Sequence, residues 1–364
     1  MPAEKKRKSL IRSTCDTDLI PGVTNLKART CFTSCSPEVL EVYWTAERVP
    51  TLVQSQAHTL RRPQTAMKAV SRVMPASRPH WVGNGFHVYP VFAQLAFTKE
   101  LSPWLMFDYA APKQFGPTSE RKGVGQHPHR GFETVTIAFQ GAVEHTDSTG
   151  NNDVIQPGDV QWMTAGRGII HEEYHSTEFA RSGGTFEMCQ LWVNLPKKHK
   201  MVPPRYQPVV SADIPTVPLK VAAGAEECAE AGSVRVIAGE LDGTRGPAQT
   251  YSPIELWDIQ LPTQGAPVEL EVPSGHNMIV FVRRGGVLVG AAGREQKVGA
   301  QGVALMEREG TTLRLSATQA DTQLLLLGGE PIDEPIAARG PFVMNTEQEI
   351  MQANRDFQSG KMGR

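Results

Sequence analysis

Two histidines separated by a single proline, His127 and His129, stand in the stretch "QHPHRGFE" directly before a run of β-branched residues. Alternate residues of a β-strand point to the same side, so both imidazoles would face one surface. The same spacing recurs in "GRGIIHEEYH", where His171 and Glu173 would share a face and Glu172 would point away. Three imidazoles and one carboxylate that converge inside a small barrel form a site for a divalent transition metal with open coordination positions. The two pairs therefore predict a metal site made of His127, His129, His171 and Glu173.

Other interpretations of these residues stay open at this point. Taken alone, a histidine pair of this spacing is more often a surface feature or a hydrogen-bonded pair than a pair of metal ligands. Glu133 lies four residues past His129 and is the main rival for the carboxylate ligand. Two glycines, Gly166 and Gly168, precede His171 and suit a sharp turn that directs the next strand inward. Four further histidines have no partner at ligand spacing and are not predicted to bind metal: His145, His175, His199 and His276.

The elements that must position these residues are β-strands. From Met67 onward, short runs rich in Val, Ile, Phe and Thr recur between clusters of Gly, Pro, Asn and Asp, which is typical of a sandwich or barrel. A first series includes "HVYPVFA", "ETVTIAF", "AVEHTD" and "GTFEMCQLWVNL", and a second includes "VRVIAGEL", "IELWDIQL" and "QLLLLGG". Each series contains a strand, a Gly-containing turn and a return strand, at 133–145 and at 278–290. A duplicated β-barrel domain is the simplest explanation of this repeated pattern.

The positions at which the strand and turn signals begin and are interrupted indicate the domain organisation. Residues 1–66 show no sustained periodicity, so we expect a mostly disordered N-terminal extension, or sequence upstream of the true start, with one short helix in "SPEVLEVYWTAERV". We predict a metal-binding barrel at 67–230, which ends in the polar passage "AAGAEECAEAGS". A second barrel should occupy 231–340, and a helix and tail should occupy 341–364.

The last segment, "NTEQEIMQANRDFQSGK", predicts a C-terminal helix that packs back on a barrel. Asn345 or Thr346 can cap its start, and Gly360 can stop it. Apolar residues lie at helical spacing within it: Ile350, Ala353 and Phe357.

Length and composition narrow the functional classes. The 364 residues suffice for two ordinary domains, and the net charge of −1 gives no electrostatic footprint for nucleic acid. The longest apolar run, around "TQLLLLGG", is much shorter than the roughly 20 residues of a membrane span. Five cysteines in so long a chain do not form a disulfide framework, which predicts a reduced, cytoplasmic protein. The basic cluster "KKRK" is interpreted as a solvated tail, with nuclear import in a eukaryotic cell as the alternative.

The longer motifs around these residues resemble those of the pirin family, a branch of the cupin superfamily. The resemblance is carried by "HPHRGFETVTIAFQGAVEH", "PGDVQWMTAGRGIIHEEY", "QLWVNLP" and "GPFVMNTEQEI", and it extends from about residue 67 to the C-terminus. It implies an all-β fold of two tandem cupin barrels, each a double-stranded β-helix, with a metal only in the first. The second barrel keeps only His276 near the corresponding place, so it is expected to be free of metal. The family's metal ligands match these residues: His127, His129, His171 and Glu173.

The resemblance also implies a metal and two competing functions. Family members bind iron, usually Fe²⁺, although Cu, Ni, Mn, Zn or Co could compete for imidazole and carboxylate ligands. Several bacterial members resemble quercetin 2,3-dioxygenases, which implies an enzyme that uses O₂ to open a small, flavonol-like aromatic substrate, with Glu173 accepting the substrate's proton. Other members are regulators, which implies a non-catalytic iron-binding protein whose partner is a transcription factor or a metabolic enzyme. A structural zinc site fits poorly, because such sites are closed and usually rich in thiolates.

Overall fold

The computed structural model describes residues 66–93, 98–224 and 231–363. The predicted N-terminal extension and its short helix lie outside the described residues, as do residues 225–230 of the polar passage. Within the described ranges the chain is mainly β-structure, as predicted.

The first half of the described chain contributes strands β1 to β13. Their bounds are β1 Val70–Met74, β2 His80–Val82, β3 Phe86–Phe92, β4 Trp104–Phe115, β5 Gly123–His129, β6 Phe132–Gln140, β7 Val143–Asp147, β8 Asn152–Ile155, β9 Val160–Thr164, β10 Ile169–His175, β11 Gly184–Asn194, β12 Arg205–Val209 and β13 Thr216–Leu219. Two short helices lie between them: α1 Thr98–Leu101 and α2 Thr177–Ser182.

The second half contributes strands β14 to β26 and a longer helix. The bounds are β14 Gly232–Ala238, β15 Glu240–Leu241, β16 Thr244–Arg245, β17 Ile254–Leu261, β18 Pro267–Glu271, β19 Asn277–Arg284, β20 Gly286–Val289, β21 Gln296–Gly299, β22 Val303–Met306, β23 Thr312–Ala317, β24 Thr322–Gly329, β25 Ala337–Arg339, β26 Phe342–Met344 and α3 Glu347–Gln358. Across the part of the chain that the structure describes, no helix combines the length and the apolar character that a membrane span requires.

Each barrel combines a seven-stranded sheet with a four-stranded sheet. In the first barrel the orders are β12-β9-β6-β11-β4-β3-β2 and β5-β10-β7-β8. In the second they are β1-β22-β19-β24-β17-β14-β13 and β18-β23-β20-β21. The two orders correspond strand by strand, with β22, β19, β24 and β17 in the places of β9, β6, β11 and β4. The predicted duplication into two tandem cupin barrels is therefore confirmed.

Two strands that precede residue 230 form the edges of the second barrel's larger sheet. Strand β1 pairs antiparallel with β22, and β13 pairs antiparallel with β14. In the first barrel, β12 takes the edge position that β1 takes in the second. The domain boundaries drawn from the sequence stay predictions.

The two seven-stranded sheets share a hydrophobic core. Val135 and Ile137 of β6 belong to one cluster with Leu325 and Leu327 of β24, so these strands turn one face toward the other barrel. The alternate residue Leu324 lies in the interior of the second barrel. Both strands read as continuous apolar or β-branched runs because they are buried on both faces. Truncating one of these leucines to alanine would cost about 2–5 kcal/mol.

A buried ionic cluster interrupts this shared core. Arg283 of β19 donates to the Glu187 carboxylate of β11 at 2.8 Å and lies over the Phe139 ring. Glu187 also accepts a 2.7 Å hydrogen bond from the Tyr109 hydroxyl. Since the charged side chains are almost fully buried, each charge depends on the other for compensation.

The C-terminal helix begins as the sequence predicts. Thr346 is the N-cap, and Glu349 completes a capping box with it. Ile350 and Ala353 are buried against the β25–β26 hairpin, whereas Phe357 is 40% exposed and does not continue the buried stripe. In the last turn of the helix, Asp356 accepts a 2.8 Å hydrogen bond from Arg130 in the first barrel.

Candidate metal centre

Neighbouring antiparallel strands bring the predicted ligand pairs together. β5 pairs with β10 so that His127 lies opposite His171 and His129 lies opposite Ile169. A register shift follows His171, and Glu173 then lies opposite Val124. The two-residue spacing thus places both pairs on the inner face of one small sheet.

A glycine turn leads into β10. Gly166 and Gly168 adopt φ values of 49° and 134°, which side chains with a Cβ rarely adopt. A Cβ on Gly166 would also come within 2.2 Å of the Val202 carbonyl oxygen. The sharp turn predicted ahead of His171 is therefore present, and only glycine fits it.

The three imidazoles form a compact cluster. The ring centroids are 4.8 Å apart for His127 and His129, 4.2 Å for His127 and His171, and 4.9 Å for His129 and His171. One nitrogen from each ring can be chosen so that all three lie within 4.8 Å of one another. His129 and His171 are buried, and His127 is partly exposed, so the cluster opens to the surface on the His127 side.

The protonation of these rings suits metal binding. Burial, reinforced by neighbouring His127, lowers the pKa of His129 to about 3, and burial with the adjacent imidazoles holds the pKa of His171 far below its ordinary value. Nδ1 of His127 donates to the Gly125 carbonyl at 2.8 Å and Nδ1 of His129 to the Pro341 carbonyl at 3.4 Å. Because carbonyl oxygens only accept, the lone pair of these two rings is on Nε2.

The surroundings of His171 Nε2 indicate whether these residues fit a metal. This nitrogen is buried and has no hydrogen-bond partner. A buried polar nitrogen without a partner costs free energy, and a divalent cation bound by the three imidazoles would supply that partner. A donor set of imidazoles beside a carboxylate is typical of sites for divalent transition metals.

Glu173 lies beside the imidazoles. One carboxylate oxygen is 3.1 Å from the Thr136 hydroxyl and the other is 3.5 Å from the Gln190 side-chain amide. Glu173 forms a second candidate metal-binding group with His171 and His145, whose ligand atoms also lie within 4.8 Å of one another. His171 belongs to both groups, and Glu173 lines the same cavity as His127 and His129, although no single group among the described residues contains all four predicted ligands. Their binding of a metal stays a proposal.

Glu133, the rival carboxylate, is held elsewhere in the barrel. It accepts a 2.7 Å hydrogen bond from the Thr164 hydroxyl of β9 and belongs to neither group of candidate ligands among the described residues. Burial raises its pKa to about 7, against the opposing hydrogen bond from Thr164.

That His145 does not bind metal stays a prediction, but the structure places it in contact with a candidate ligand. Its Nδ1 lies 3.4 Å from Nδ1 of His171, and its Nε2 lies 3.1 Å from the Asp147 carboxylate. The signal that could have revealed it is the "HTD" spacing on β7, which follows β6 in the chain but lies in the other sheet. Strand β7 pairs with β10 and places His145 opposite Glu173.

The other three histidines lie away from the cluster. His175 is 3.0 Å from the Gly85 carbonyl, and the ring of His199 lies against Tyr251. In the second barrel, Nδ1 of His276 is 2.9 Å from Glu255. The expectation that the second barrel is free of metal stays a prediction.

A cavity of about 270 Å³ adjoins the candidate ligands. Its volume is near the lower end of small-molecule pockets, which are about 300–1,000 Å³. His127, His129 and Glu173 line it together with Asp108 and Gln190. Burial raises the pKa of Asp108 to about 6 despite the nearby His80. Apolar side chains form most of the remaining wall: Val82, Phe86, Val88, Met106, Met188 and Trp192.

Comparison with known proteins extends over both barrels. The family model described as Pirin matches residues 85–193, and the one described as Pirin C-terminal cupin domain matches residues 256–363. A Pseudomonas aeruginosa protein named "Putative quercetin 2,3-dioxygenase" is 50% identical over 295 residues, which are 81% of this chain and 98% of that protein. Pirin of Homo sapiens is 36% identical over 267 residues, which are 73% of this chain and 84% of that protein. The crystal structure of a quercetin 2,3-dioxygenase from Acinetobacter baumannii is similar with a TM-score of 0.76 and 48% identity, covering 81% of this chain and 98% of that chain.

Proposed function

Because this chain belongs to the pirin family of cupin proteins, we propose that it is a metal-dependent dioxygenase that opens the ring of a flavonol such as quercetin. The observation that carries the proposal is the cluster of three imidazoles and a glutamate side chain, of which His127, His129 and Glu173 line a largely apolar cavity. The names of the relatives from P. aeruginosa and A. baumannii support the choice of substrate. A cytoplasmic location completes the proposal, in line with the sparse cysteine content.

The proposed ligands are His127, His129, His171 and Glu173. A divalent metal bound there would supply Lewis acidity, which lowers the pKa of a coordinated substrate hydroxyl. The ligand types alone do not select iron over copper, nickel or zinc. We propose Fe²⁺ because of the family to which the chain belongs.

Glu173 is the proposed base that takes the proton from the substrate hydroxyl. Thr136 and Gln190 hold its two carboxylate oxygens, which keeps the side chain directed at the cavity. The Thr136 hydroxyl also lies 2.7 Å from the Gln190 side-chain oxygen, to which it can donate its single proton. When Thr136 donates to Gln190, its oxygen can accept a hydrogen bond from protonated Glu173. This chain of three side chains therefore accommodates Glu173 with and without the proton.

The cavity walls suit a planar aromatic ligand. The Trp192 ring lies 5.3 Å from the His129 ring and 4.4 Å from the Phe132 ring, so aromatic surface continues directly from the candidate ligands. Apolar walls of this kind bind aromatic rings and exclude water from the reacting groups. Asp108 supplies a carboxyl group on the same wall to which a further substrate hydroxyl can hydrogen-bond.

The proposal is tested by mixing iron-loaded protein with quercetin under air and following the flavonol's visible absorption together with O₂ consumption. We expect turnover by the wild type. A Glu173→Gln variant should keep much of its metal and lose about 10²- to 10⁴-fold in turnover, the range that general bases contribute. Metal-free protein is the control.

Two outcomes would contradict parts of the proposal. Absence of quercetin loss above the metal-free control, with bound iron confirmed, would favour the alternative of a non-catalytic iron-binding regulator. Unchanged turnover by Glu173→Gln would eliminate Glu173 as the base while leaving the metal site intact.

A further inference from the structure

We propose that Asp147 and His145 are positioning residues that fix the tautomer of His171, so that its Nε2 lone pair is available to the metal. This inference rests on the proposed metal site but not on the proposed dioxygenase activity. It concerns side chains outside the proposed set of metal ligands.

The three side chains form one buried hydrogen-bonded chain. Nε2 of His145 lies 3.1 Å from Oδ2 of Asp147, and Nδ1 of His145 lies 3.4 Å from Nδ1 of His171. The side chains of His145 and Asp147 have no exposed surface. The Tyr206 ring, whose centroid is 5.1 Å from that of His145, covers the imidazole.

Asp147 ends this hydrogen-bonded chain, and its charge determines which nitrogen atoms donate and which accept along it. Its Oδ1 accepts from the backbone N–H and hydroxyl of Thr149 at 2.8 and 2.7 Å and from the Asn151 N–H at 3.3 Å. Its Oδ2 accepts from the Asn151 side-chain amide at 2.9 Å. Although burial would raise the pKa of Asp147, the hydrogen bonds from His145, Thr149 and Asn151 together lower it. Asp147 is therefore an ionised acceptor.

The tautomers follow from that acceptor. A neutral His145 must carry its proton on Nε2 to donate to Asp147. Nδ1 of His145 is then a lone pair, so Nδ1 of His171 must donate to it. The remaining nitrogen of His171, Nε2, is left with a lone pair, and it is the atom that lacks a hydrogen-bond partner.

His171 needs this arrangement more than the other two candidate ligands do. His127 and His129 direct Nδ1 at backbone carbonyl oxygens, which fix the tautomer by themselves. The partner of His171 is another imidazole, which can donate or accept. Only the carboxylate of Asp147 makes His145 an acceptor toward His171. Partners of this kind typically contribute about 10- to 100-fold to metal affinity.

The competing interpretation is that His145 is itself a metal ligand, since it forms a candidate group with His171 and Glu173. Two observations favour the positioning role. Nε2 of His145 is committed to Asp147, and Nδ1 of His145 faces Nδ1 of His171, away from the nitrogen of His171 that lacks a partner.

The first test is the near-isosteric substitution Asp147→Asn. Three donors, from Thr149 and Asn151, surround the Oδ1 position, so the amide oxygen should occupy it and the amide nitrogen should face His145. His145 would then accept from the amide and donate to His171, which moves the His171 proton to Nε2. We expect Ni²⁺ binding to metal-free protein, measured by calorimetry, to weaken about 10- to 100-fold.

The matched control is Asn151→Ala, which removes a donor to Asp147 but leaves the acceptor for His145 unchanged. It should bind Ni²⁺ within a few-fold of the wild type. The ¹⁵N chemical shifts of the histidine rings in metal-free protein report the tautomers directly: His171 should be protonated on Nδ1 in the wild type and on Nε2 in Asp147→Asn. Equal Ni²⁺ affinity and an unchanged His171 tautomer in Asp147→Asn, or an equal loss of affinity in Asn151→Ala, would overturn the proposal.

A second pair of variants separates positioning from ligation. His145→Gln retains an acceptor toward His171 and a donor toward Asp147, whereas His145→Leu has neither. We expect His145→Gln to bind Ni²⁺ at least tenfold more tightly than His145→Leu. Equal affinities would overturn the positioning role. Neither O₂ nor quercetin is present, so these results are independent of whether the protein turns over a flavonol.

Discussion

Replacing Glu133 by Gln should remove a large part of the pH dependence of this protein's stability between pH 5 and pH 8. Glu133 is 1% exposed, and its carboxylate accepts a 2.7 Å hydrogen bond from the Thr164 hydroxyl. Burial raises the pKa of Glu133 from its ordinary value of 4.5 to about 7 in the folded chain. The folded state therefore holds this proton more tightly than the unfolded state does.

The sign and the size of the effect follow from that difference. A carboxyl group whose pKa is higher in the folded state contributes its full stability below pH 4.5 and loses it as the pH rises through 7. The pKa values differ by about 2.5. At about 1.4 kcal/mol per pH unit, the full loss is about 3 kcal/mol, of which about 2–3 kcal/mol falls between pH 5 and pH 8.

The assay is urea unfolding of metal-free protein at both pH values. The wild type should lose about 2–3 kcal/mol more free energy of unfolding than Glu133→Gln does between pH 5 and pH 8. A matched variant, Thr164→Val, removes the hydrogen bond that favours the ionised carboxylate and should make the pH dependence steeper. An unchanged dependence in Glu133→Gln would refute the reasoning. In a separate metal analysis, a lower metal content of Glu133→Gln than of the wild type would make Glu133 a candidate ligand again.

Two further predictions concern the barrel interface and the cavity. Arg283→Met should lower the free energy of unfolding by about 3–5 kcal/mol because it leaves Glu187 charged and buried, and addition of Glu187→Gln should restore most of the loss in urea titrations. Equal stability of the single and double variants would count against this compensation. For Asp108, whose pKa is about 6, kcat/KM for quercetin should rise as the pH increases through 6, because the carboxylate can then accept a hydrogen bond from a substrate hydroxyl. In Asp108→Asn, kcat/KM should no longer rise as the pH increases through 6. A rise that persists in this variant would exclude Asp108 as its cause.

Strand periodicity predicted which candidate ligands share a face because each pair lies within a single strand. Alternation determines which residues share a face, so His127 and His129 on β5, and His171 and Glu173 on β10, could be placed without coordinates. It does not determine which strand lies alongside. The contact between His145 and His171 depends on the pairing of β7 with β10, a long-range contact that the spacing of the residues does not encode.

The same limit applies to the fold. Runs such as "ETVTIAF" and "QLLLLGG" predicted strands correctly, and the repeated order of strand and turn predicted two barrels. Strand β1 nevertheless belongs to the larger sheet of the second barrel, through a long-range pairing with β22 that its own residues do not encode. Phe357 matched the helical spacing but is 40% exposed, since the β25–β26 hairpin covers only the first turns of the helix.

The central claim is that His127 and its neighbours bind one metal ion that the chemistry requires. It is tested most directly by metal analysis of purified wild type beside His127→Ala, with the quercetin assay run on the same samples. His276→Gln, a substitution in the second barrel, is the matched control. We predict one metal ion per chain and loss of quercetin in the wild type and in His276→Gln, and loss of both in His127→Ala. Equal metal content and equal turnover in His127→Ala would contradict the account.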